Sequence, residues 1–269
     1  MNTNLIRFGG VITKKEHTVV SIIGAVLLLL IWYLVTVTET INTKILPNPI
    51  DVVKSIPTLF ADYHLFRNIF YTIGLNLLGY FFALVIAIPL GFLIGIFPLP
   101  NALFKPYFEA LRYLPLPTVS GIFIATFGLG FGMKAKFLAF GILIFTLPTV
   151  IGKVYDLQNP KNEKDNVYLQ TAKTLGMTNW QMFTKVYWPY VMGKIYGDIR
   201  SLVAISYTYV VIAECLNKEG GIGAMIQTFT RQSRTPEIYA LLFVIVLIGL
   251  FQDWVFKKTE PVIFPYKKA

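Results

Sequence analysis

The chain of 269 residues is 55% hydrophobic and 15% aromatic, and only 14% of its residues are charged. Because an ordinary soluble domain carries about 25% charged residues, this composition excludes a soluble globular protein and predicts one that lies in a bilayer. The net charge of +10 does not indicate nucleic-acid binding, since the lysines and arginines stand in short loops and tails between apolar runs, as topology signals do.

The first uncharged run predicts a membrane-spanning helix at about residues 18–38. Its length matches the roughly 20 residues that a helix needs to cross the hydrocarbon core. A cleaved signal peptide is the alternative, because Arg7, Lys14 and Lys15 precede the run. We favour the span, since the apolar stretch is longer than a signal-peptide core and no small-x-small cleavage site follows it.

Two further spans are predicted in the next part of the chain. The second uncharged window is 37 residues long, too long for one straight span. We therefore place span two at about 72–97, kinked at Pro89 and ended by Pro98. Span three is placed at about 108–127, where early prolines are tolerated because neighbouring helices re-satisfy the backbone.

Spans four to six are placed at about 134–155, 193–214 and 236–255. The lysines at the ends of span four are expected to snorkel to the interface. Only 13 residues of span five are uncharged, about 20 Å of helix, so this span must begin near residue 193. It then carries Lys194 and Asp198 in its first turns, where the two can pair at i,i+4.

Six spans put both termini on one side of the membrane. That side holds 16 of the 24 lysines and arginines, in residues 1–17, 98–112, 153–200 and 256–269. Because the side richer in positive charge faces the cytoplasm, both termini are expected there. The sequence thus predicts a cytoplasmic segment 1–17, a transmembrane domain 18–255 with a cytoplasmic loop at 156–192, and a cytoplasmic tail 256–269.

A polar island, Tyr168–Pro189, lies within the long cytoplasmic loop. Gly176 is expected to end a first short helix, because glycine tolerates the positive φ of a helix C-terminus. Thr178 followed three residues later by Gln181 has the pattern of a capping box. We therefore predict two short helices joined at Gly176, the second ending at Pro189.

The side chains of the polar island suit a protein–protein interface, because several are aromatic or apolar on a surface that faces the cytosol. They are Tyr168, Leu169, Trp180, Met182 and Phe183. The alternative is an amphipathic hairpin that lies on the lipid headgroups without a partner. Composition and periodicity alone leave both interpretations open.

The spacing of the polar island resembles the cytoplasmic motif of permease subunits of binding-protein-dependent ABC importers. That motif is Glu-Ala-Ala, three residues, Gly, nine residues, then Ile-x-Leu-Pro. Here Gln170-Thr171-Ala172 stands at the triplet, Gly176 at the glycine and Val186-Tyr187-Trp188-Pro189 at the end. Gln170 and Thr171 depart from the family pattern, so the ion pair of the usual Glu is not expected, although Gln can still form hydrogen bonds.

Other segments resemble the branch of this family that imports nitrate, alkanesulfonates, taurine, bicarbonate and some vitamin-like compounds. Each is a weak signature alone, and together they follow the family order. They are Leu46-Pro47-Asn48-Pro49, Ile88-Pro89-Leu90-Gly91, Leu114-Pro115-Leu116-Pro117, and Ala213-Glu214 followed by Gly220-Gly221-Ile222-Gly223.

The resemblance implies an all-α polytopic membrane protein of the type I ABC importer permease kind, with about six transmembrane helices and a short cytoplasmic coupling helix. It implies a bacterial inner-membrane location, a second permease subunit (a homodimer), two ABC ATPase subunits and an extracytoplasmic substrate-binding protein. The ATPase-coupling residues it implies are Tyr168, Leu169, Gln170, Thr171, Ala172, Gly176, Trp180 and Pro189.

The chain carries no motif for chemistry of its own. Neither Gly152-Lys153 nor Gly193-Lys194 is followed by Ser or Thr, so no phosphate-binding loop is present, and no HExxH occurs. The single cysteine, Cys215, excludes an intrachain disulfide and a CxxC motif. We expect a non-catalytic subunit that binds no metal or cofactor, with ATP and Mg on the ATPase subunits.

Polar residues inside the spans are candidates for the translocation pathway: Asn76, Ser206, Tyr207, Tyr209 and Glu214. Structural alternatives stand beside each, because hydroxyls can bond back to their own helix and Asn76 can join two helices. Glu214 can instead cap an external loop or pair with Lys218. A stand-alone channel or secondary transporter is the alternative function, and the sequence does not identify the substrate.

Overall fold

The computed structural model describes residues 13–159, 163–217 and 219–268, and the regular structure in those ranges is helical. The chain divides into two compact units, Met1–Tyr63 with Thr228–Leu242 and His64–Gln227 with Phe243–Ala269. Five helices within the described ranges are long and apolar enough to span a membrane, or six if one bent pair counts as a single span. The predicted all-helical, polytopic fold class is therefore confirmed.

The first unit contains α1 (Lys14–Val37) and α2 (Pro49–Ala61). A capping box opens α1, since the Thr13 hydroxyl accepts from the Glu16 amide and the Glu16 carboxylate accepts from the Thr13 amide. The apolar side chains of α1 are exposed along most of its length, which suits a helix surrounded by lipid. Residues 1–12 of the predicted cytoplasmic segment lie outside the described residues.

The second unit begins with two long helices and a bent connection between them. Its elements are α3 (Leu65–Ile96), α4 (Pro98–Ala110), a 3₁₀ turn (Leu111–Tyr113), α5 (Leu116–Phe127) and α6 (Phe131–Gln158). Helix α3 starts seven residues before the expected position 72 and continues through Pro89. It ends directly before Pro98, as predicted.

The expected single helix over 108–127 is broken in the structure. Helices α4 and α5 meet at an angle of 105°, and α5 has only 12 residues. The reason lies at Leu114, which is extended because the following Pro115 excludes the helical conformation. This pair of helices is therefore a broken span or a re-entrant segment.

The remaining helices extend further than the sequence predicted. They are α7 (Glu163–Thr174), α8 (Asn179–Met182), a π-helical turn (Phe183–Tyr187), α9 (Trp188–Cys215), α10 (Ile222–Arg231), α11 (Thr235–Ile263) and a 3₁₀ turn (Pro265–Lys268). The tail was predicted to begin at residue 256, but α11 continues eight residues past position 255. The first part of the predicted tail 256–269 is therefore the end of α11.

Close packing of α3 against α6 forms the centre of the second unit. A Cβ atom added at Gly91 would lie 2.6 Å from the Val150 side chain, and one added at Gly95 would lie 2.7 Å from Val154. Glycine lets the two helix backbones approach, which is how helices associate in a membrane without a hydrophobic driving force between them. Leu147 and Ile151 of α6 are fully buried in the same contact region.

We expect Gly91→Ala to destabilise the protein by about 1–3 kcal/mol, since the added methyl group overpacks the α3–α6 contact. Gly74→Ala on the same helix is the matched control, because no atom lies within 4 Å of its added Cβ. Thermal unfolding in detergent, followed by gel filtration, measures the difference. Equal melting temperatures for the two variants would contradict the assigned contact.

Candidate functional site

The turn at Gly176 has the geometry predicted from the sequence. Gly176 has φ +66°, its amide donates to the Lys173 carbonyl at 3.0 Å, and the Met177 amide donates to the Ala172 carbonyl at 3.1 Å. These two bonds form a Schellman motif, which ends a helix and satisfies its last carbonyls. The glycine at this position of the family motif therefore has a structural reason in this chain.

The predicted capping box follows the turn and is confirmed. The Thr178 hydroxyl accepts from the Gln181 amide at 3.3 Å, and the Thr178 amide donates to the Gln181 side chain at 2.9 Å. The expectation that the second short helix ends at Pro189 is wrong, because α8, the π-helical turn and α9 continue into one another. The wider π turn explains this, since the Trp188 amide bonds to the Phe183 carbonyl five residues back and leaves Pro189 in the first turn of α9.

The predicted coupling residues divide into exposed and buried groups. Tyr168 and Trp180 are 56% and 72% exposed, and Gln170 and Thr171 are also exposed. Leu175, which was not among the predicted coupling residues, is 68% exposed beside them. Leu169 and Ala172, in contrast, are buried within the chain. These two side chains fasten α7 to the protein and cannot themselves contact a partner in this conformation.

Aromatic contacts and hydrogen bonds join the second half of the polar island to the membrane helices. Phe92 of α3 packs edge-on against Phe183, with ring centroids 5.2 Å apart, and stacks on Trp188 at 5.6 Å. The Gln158 side chain at the end of α6 donates to the Tyr187 hydroxyl at 3.2 Å. The polar island is therefore attached to α3 and α6 as well as to α9.

The C-terminal 3₁₀ turn holds the start of α9. The Tyr266 hydroxyl donates to the Pro189 carbonyl at 2.6 Å, and burial raises the pKa of that hydroxyl. Its ring lies against Gly193, where an added Cβ would approach within 3.2 Å. The predicted coupling residue Pro189 is thus in contact with the end of the chain.

Two of the predicted pathway residues meet in one buried cluster. The Tyr207 hydroxyl donates to the Gln252 carbonyl oxygen at 2.6 Å, and the Asn76 amide donates to the same oxygen at 3.2 Å. This cluster joins α3, α9 and α11, so the helix–helix role considered for Asn76 matches its observed contact. Within this cluster the Gln252 amide nitrogen and the Asn76 carbonyl oxygen are both buried without a hydrogen-bond partner.

Glu214 lies in a second buried cluster and caps α10. Its carboxylate accepts from the Thr72 hydroxyl and from the Gly223 amide, each at 2.7 Å. The Thr72 hydroxyl accepts in turn from the Ile222 amide at 3.0 Å. A Cβ at Gly221 would lie 2.1 Å from the Glu214 carboxyl carbon, which explains the glycine there. Lys218, the other partner considered for Glu214, lies outside the described residues.

The last two pathway candidates are Ser206 and Tyr209. The Ser206 hydroxyl is buried and donates to the Val203 carbonyl at 2.8 Å, one turn earlier in α9. Tyr209 is half-buried and stacks against Phe145, with ring centroids 6.5 Å apart. Ser206 therefore bonds back to its own helix, and Tyr209 is the least buried of the five candidates.

Charged residues inside the helices have partners that the sequence did not identify. Lys134 of α6 is fully buried, and its ammonium donates to the Asn217 carbonyl at 3.2 Å and to the Tyr71 hydroxyl at 3.3 Å. Arg200 of α9 and Asp253 of α11 form a two-bond ion pair at 2.5 and 2.8 Å. These residues were missed because their partners are distant in sequence, although a charge inside an apolar run is itself a signal.

Asp198 forms an ion pair between helices. Its carboxylate lies 3.4 Å from the Lys153 ammonium of α6, while Lys194 donates to the Tyr190 hydroxyl. The Asp198–Lys153 contact thus joins α9 to α6, and it differs from the pairing with Lys194 that the i,i+4 spacing predicts.

A family model described as the inner membrane component of binding-protein-dependent transport systems matches residues 10–262. Because this match covers most of the chain, the protein belongs to that family, as the motif of the polar island indicated. It is a permease subunit of an ABC importer and a multi-pass protein of the inner membrane. This membership does not agree with a stand-alone channel or a secondary transporter.

Named relatives agree with the family. A probable ABC transporter permease of Brucella melitensis is 27% identical over 222 residues, covering 82% of this chain and 86% of the relative. The taurine transport system permease protein TauC of Escherichia coli is 23% identical over 244 residues, covering 89% and 86%. The nitrate import permease protein NrtB of Leptolyngbya laminosa is 27% identical over 190 residues, covering 71% and 66%.

A solved structure shares the fold. The MetNI methionine ABC transporter, in an inward-facing conformation, matches with a TM-score of 0.60 and 16% identity, covering 75% of this chain and 97% of the matched chain. At this identity the likeness concerns the fold alone. It agrees with the predicted type I importer permease architecture.

We expect Glu214→Ala to destabilise the protein by about 2–3 kcal/mol, because it leaves the buried Thr72 hydroxyl and Gly223 amide without their acceptor. The exposed Glu219, five residues further on, is the matched carboxylate control. Thermal unfolding of the two alanine variants in detergent measures this difference. If Glu214→Ala melts within a degree of Glu219→Ala, the cap is not a stabilising contact.

Proposed function

We propose that this permease couples ATP hydrolysis on partner subunits to solute movement through the Gly176 turn, and that its cargo is a small anion. The coupling proposal depends mainly on one observation. Large apolar side chains are exposed at the turn, while the backbone that carries them is held by a Schellman motif and by contacts to α3 and α6.

Coupling requires a segment that is rigid and presents contact residues. Tyr168 and Trp180 are aromatic and more than half exposed, which is the chemistry of interface anchor residues. The buried Leu169 and Ala172 and the caps on either side of the turn limit its internal motion. We infer that an ATPase groove receives this turn, with Gln170 and Thr171 at the contact as polar, uncharged groups.

Movement of the turn would reach the membrane through α9. The helical path from Asn179 to Cys215 is continuous, so a displacement at its start is carried along its axis. Ion pairs from Asp198 and Arg200 link this path to α6 and α11. Tyr209, half-buried on α9, is the pathway residue that we propose faces the solute, whereas Asn76, Ser206, Tyr207 and Glu214 shape the helices around it.

The assembly that we propose contains two copies of this chain, two ATPase subunits and one extracytoplasmic substrate-binding protein. Both termini and the polar island face the cytoplasm, following the distribution of positive charge. The chain itself is non-catalytic and holds no metal or cofactor, while ATP and Mg bind to the ATPase subunits.

The proposed cargo class comes from the named relatives. TauC and NrtB carry names for taurine and nitrate transport, and a Bacillus subtilis relative, 23% identical, is named for aliphatic sulfonates. Taurine, sulfonates and nitrate all carry a compact anionic group. A small organic or inorganic anion is therefore the proposed substrate, with a vitamin-like pyrimidine as the second candidate, since a Halalkalibacterium halodurans relative is named for formylaminopyrimidine.

Replacing Trp180 by alanine should weaken ATPase binding about 5- to 30-fold and lower uptake, because an exposed aromatic anchor is lost. Membrane insertion and thermal stability should not change, since the side chain is 72% exposed. Phe66→Ala is the matched control, since Phe66 is an aromatic that is 63% exposed and lies at the opposite end of α3 from the Phe92 contact. Uptake into proteoliposomes and co-purification of the ATPase measure the effect.

A cysteine version of the same position tests the location of the contact. In a Cys215→Ser background, the single cysteine of Trp180→Cys should crosslink to the ATPase and react with a reagent added from the cytoplasmic side. Crosslinking of the ATPase to Phe66→Cys but not to Trp180→Cys would refute the coupling proposal. Unchanged uptake in Trp180→Ala would also refute it.

A thermal-shift screen of the substrate-binding protein that works with this permease should identify the cargo. A true ligand at 100 times its Kd stabilises by about 2.7 kcal/mol, enough to raise the melting temperature by several degrees. We expect this from taurine, an alkanesulfonate, nitrate or bicarbonate. A shift produced only by a sugar or a cation would contradict the anion proposal and leave the coupling proposal intact.

A further inference from the structure

The first turn of α9 is the junction between the polar island and the long membrane helix, and its backbone is weakly bonded there. The π-helical turn Phe183–Tyr187 precedes it, and Pro189 has no N–H to donate to the preceding turn. Helices bend at π-helical turns and at prolines rather than at regular positions. A push on the polar island would therefore be absorbed as bending at this junction, unless another contact holds the start of α9.

The end of the chain holds this junction. The Tyr266 hydroxyl donates to the Pro189 carbonyl at 2.6 Å, and the Tyr266 ring lies against Gly193, one turn further along α9. Pro189 and Gly193 are four residues apart, so they lie on the same face of the helix. One side chain thus spans the first turn of α9, directly after the point where the helix can bend.

The C-terminal 3₁₀ turn that carries Tyr266 is itself anchored. The Phe264 ring is buried and packs edge-on against Tyr196 of α9, with ring centroids 5.3 Å apart. The Tyr196 hydroxyl donates to a backbone carbonyl of α11 at 3.2 Å, and an ion pair at 2.6 Å joins Lys267 to Glu260. Tyr266 therefore belongs to a fixed segment and not to a free tail.

Helix α7 contacts the neighbouring face of the same turn. The rings of Tyr168 and Tyr190 have centroids 6.1 Å apart, and the Lys194 ammonium lies 4.2 Å from the Tyr190 ring centroid. Tyr190 directly follows Pro189, so α7 and Tyr266 contact adjacent positions of one helical turn. A change at Tyr266 is therefore expected to alter how α7 is held relative to α9.

Phe92 also touches this junction, but its contact leaves the direction of α9 open. Ring packing of Phe92 with Phe183 and Trp188 buries apolar surface, and that interaction is non-directional. The hydrogen bond from Tyr266, in contrast, requires a donor–acceptor distance and angle within narrow limits. The C-terminal 3₁₀ turn is therefore the contact that fixes the direction in which α9 leaves the π-helical turn.

We propose that the C-terminal 3₁₀ turn positions the start of α9 for coupling, with Tyr266 as the positioning residue. Tyr266 acts through Pro189 and Gly193, and it keeps α7 and α9 moving as one body when the ATPase subunits push on the Gly176 turn. Without Tyr266 the junction bends, and part of the displacement is lost before it reaches the membrane helices. This inference rests on the proposed coupling function and adds the end of the chain to it.

Spin labels on either side of the junction test this role without requiring a cargo. Nitroxides are attached to Val167→Cys in α7 and Ser201→Cys in α9, both exposed positions, in a Cys215→Ser background. Labelled permease is diluted with unlabelled permease and reconstituted in nanodiscs with the ATPase subunits and the binding protein. Double electron–electron resonance should give one narrow distance that is the same without nucleotide and with ATP plus vanadate.

Tyr266→Ala should abolish this constancy, so that the distance changes with nucleotide and its distribution broadens. Tyr266→Phe keeps the ring and loses the hydrogen bond, so it should lose the constancy in part. Val262→Ala is the matched control and should behave as the parent, because Val262 of α11 is 78% exposed. Co-purification of the ATPase subunits should be unchanged in these variants, since none of the side chains is assigned to the ATPase contact.

A pair of glycines tests the same contact from α9. Gly193→Ala places a Cβ atom 3.2 Å from the Tyr266 hydroxyl oxygen and should displace the ring, whereas no atom lies within 4 Å of a Cβ at Gly197. Both alanines raise helix propensity by the same amount. Gly193→Ala should therefore reproduce the effect of Tyr266→Ala, and Gly197→Ala should not. This pair keeps the test decisive if Tyr266→Ala fails to fold.

A distance that stays narrow and constant in both Tyr266→Ala and Gly193→Ala would overturn the proposal, as would equal effects of Gly193→Ala and Gly197→Ala. Loss of the ATPase subunits from Tyr266→Ala would assign Tyr266 to the ATPase contact itself and overturn the positioning role. Failure of the proposed coupling function gives a different result. In that case Trp180→Ala would leave ATPase binding and uptake unchanged, while the measured distance would still depend on Tyr266.

Discussion

The hydrocarbon core of a bilayer supplies no hydrogen-bond partner, and this constraint decides where the polar residues of the permease lie. An unsatisfied polar group there costs several kcal/mol, so pairing inside the helix bundle is strongly favoured. Glu214 is paired with a hydroxyl and a backbone amide, Lys134 with a carbonyl, and Arg200 with Asp253. Three of the contacts join helices that are distant in sequence: Thr72–Glu214 joins α3 to α9, Lys134–Tyr71 joins α6 to α3, and Arg200–Asp253 joins α9 to α11. Pairing of polar groups therefore also helps to determine how these helices pack.

Local features of the chain could be predicted because their causes are local. The charge-free runs located most of the long helices, since hydrophobic length alone determines whether a helix can span. The cap at Gly176 and the capping box at Thr178 followed from residue type and spacing over a few positions. The break between α4 and α5 has a local signal too, in Leu114-Pro115, but its 105° angle depends on packing that the sequence does not display.

Contacts between distant residues could not be predicted from one sequence. Glu214 and Thr72 are separated by 142 positions, and Gln252 and Asn76 by 176. Residue type marked Glu214 and Asn76 as unusual in an apolar segment, yet it did not distinguish a pathway group from a helix-joining one. The continuation of the helix through Pro189 was also missed, because proline usually ends a helix and the π turn that accommodates it has no clear sequence signature.

Helix α9 connects the features that bear on function. Its start is held by Tyr266 and by the aromatic contact of Trp188 with Phe92, its middle by Arg200 and Tyr207, and its end by Glu214. A helix that is attached to its neighbours at several points along its length moves together with them as a rigid body. A separate movement of the helix would break those contacts. A push on the Gly176 turn would therefore move α9 together with α11, whose Asp253 and Gln252 bind it.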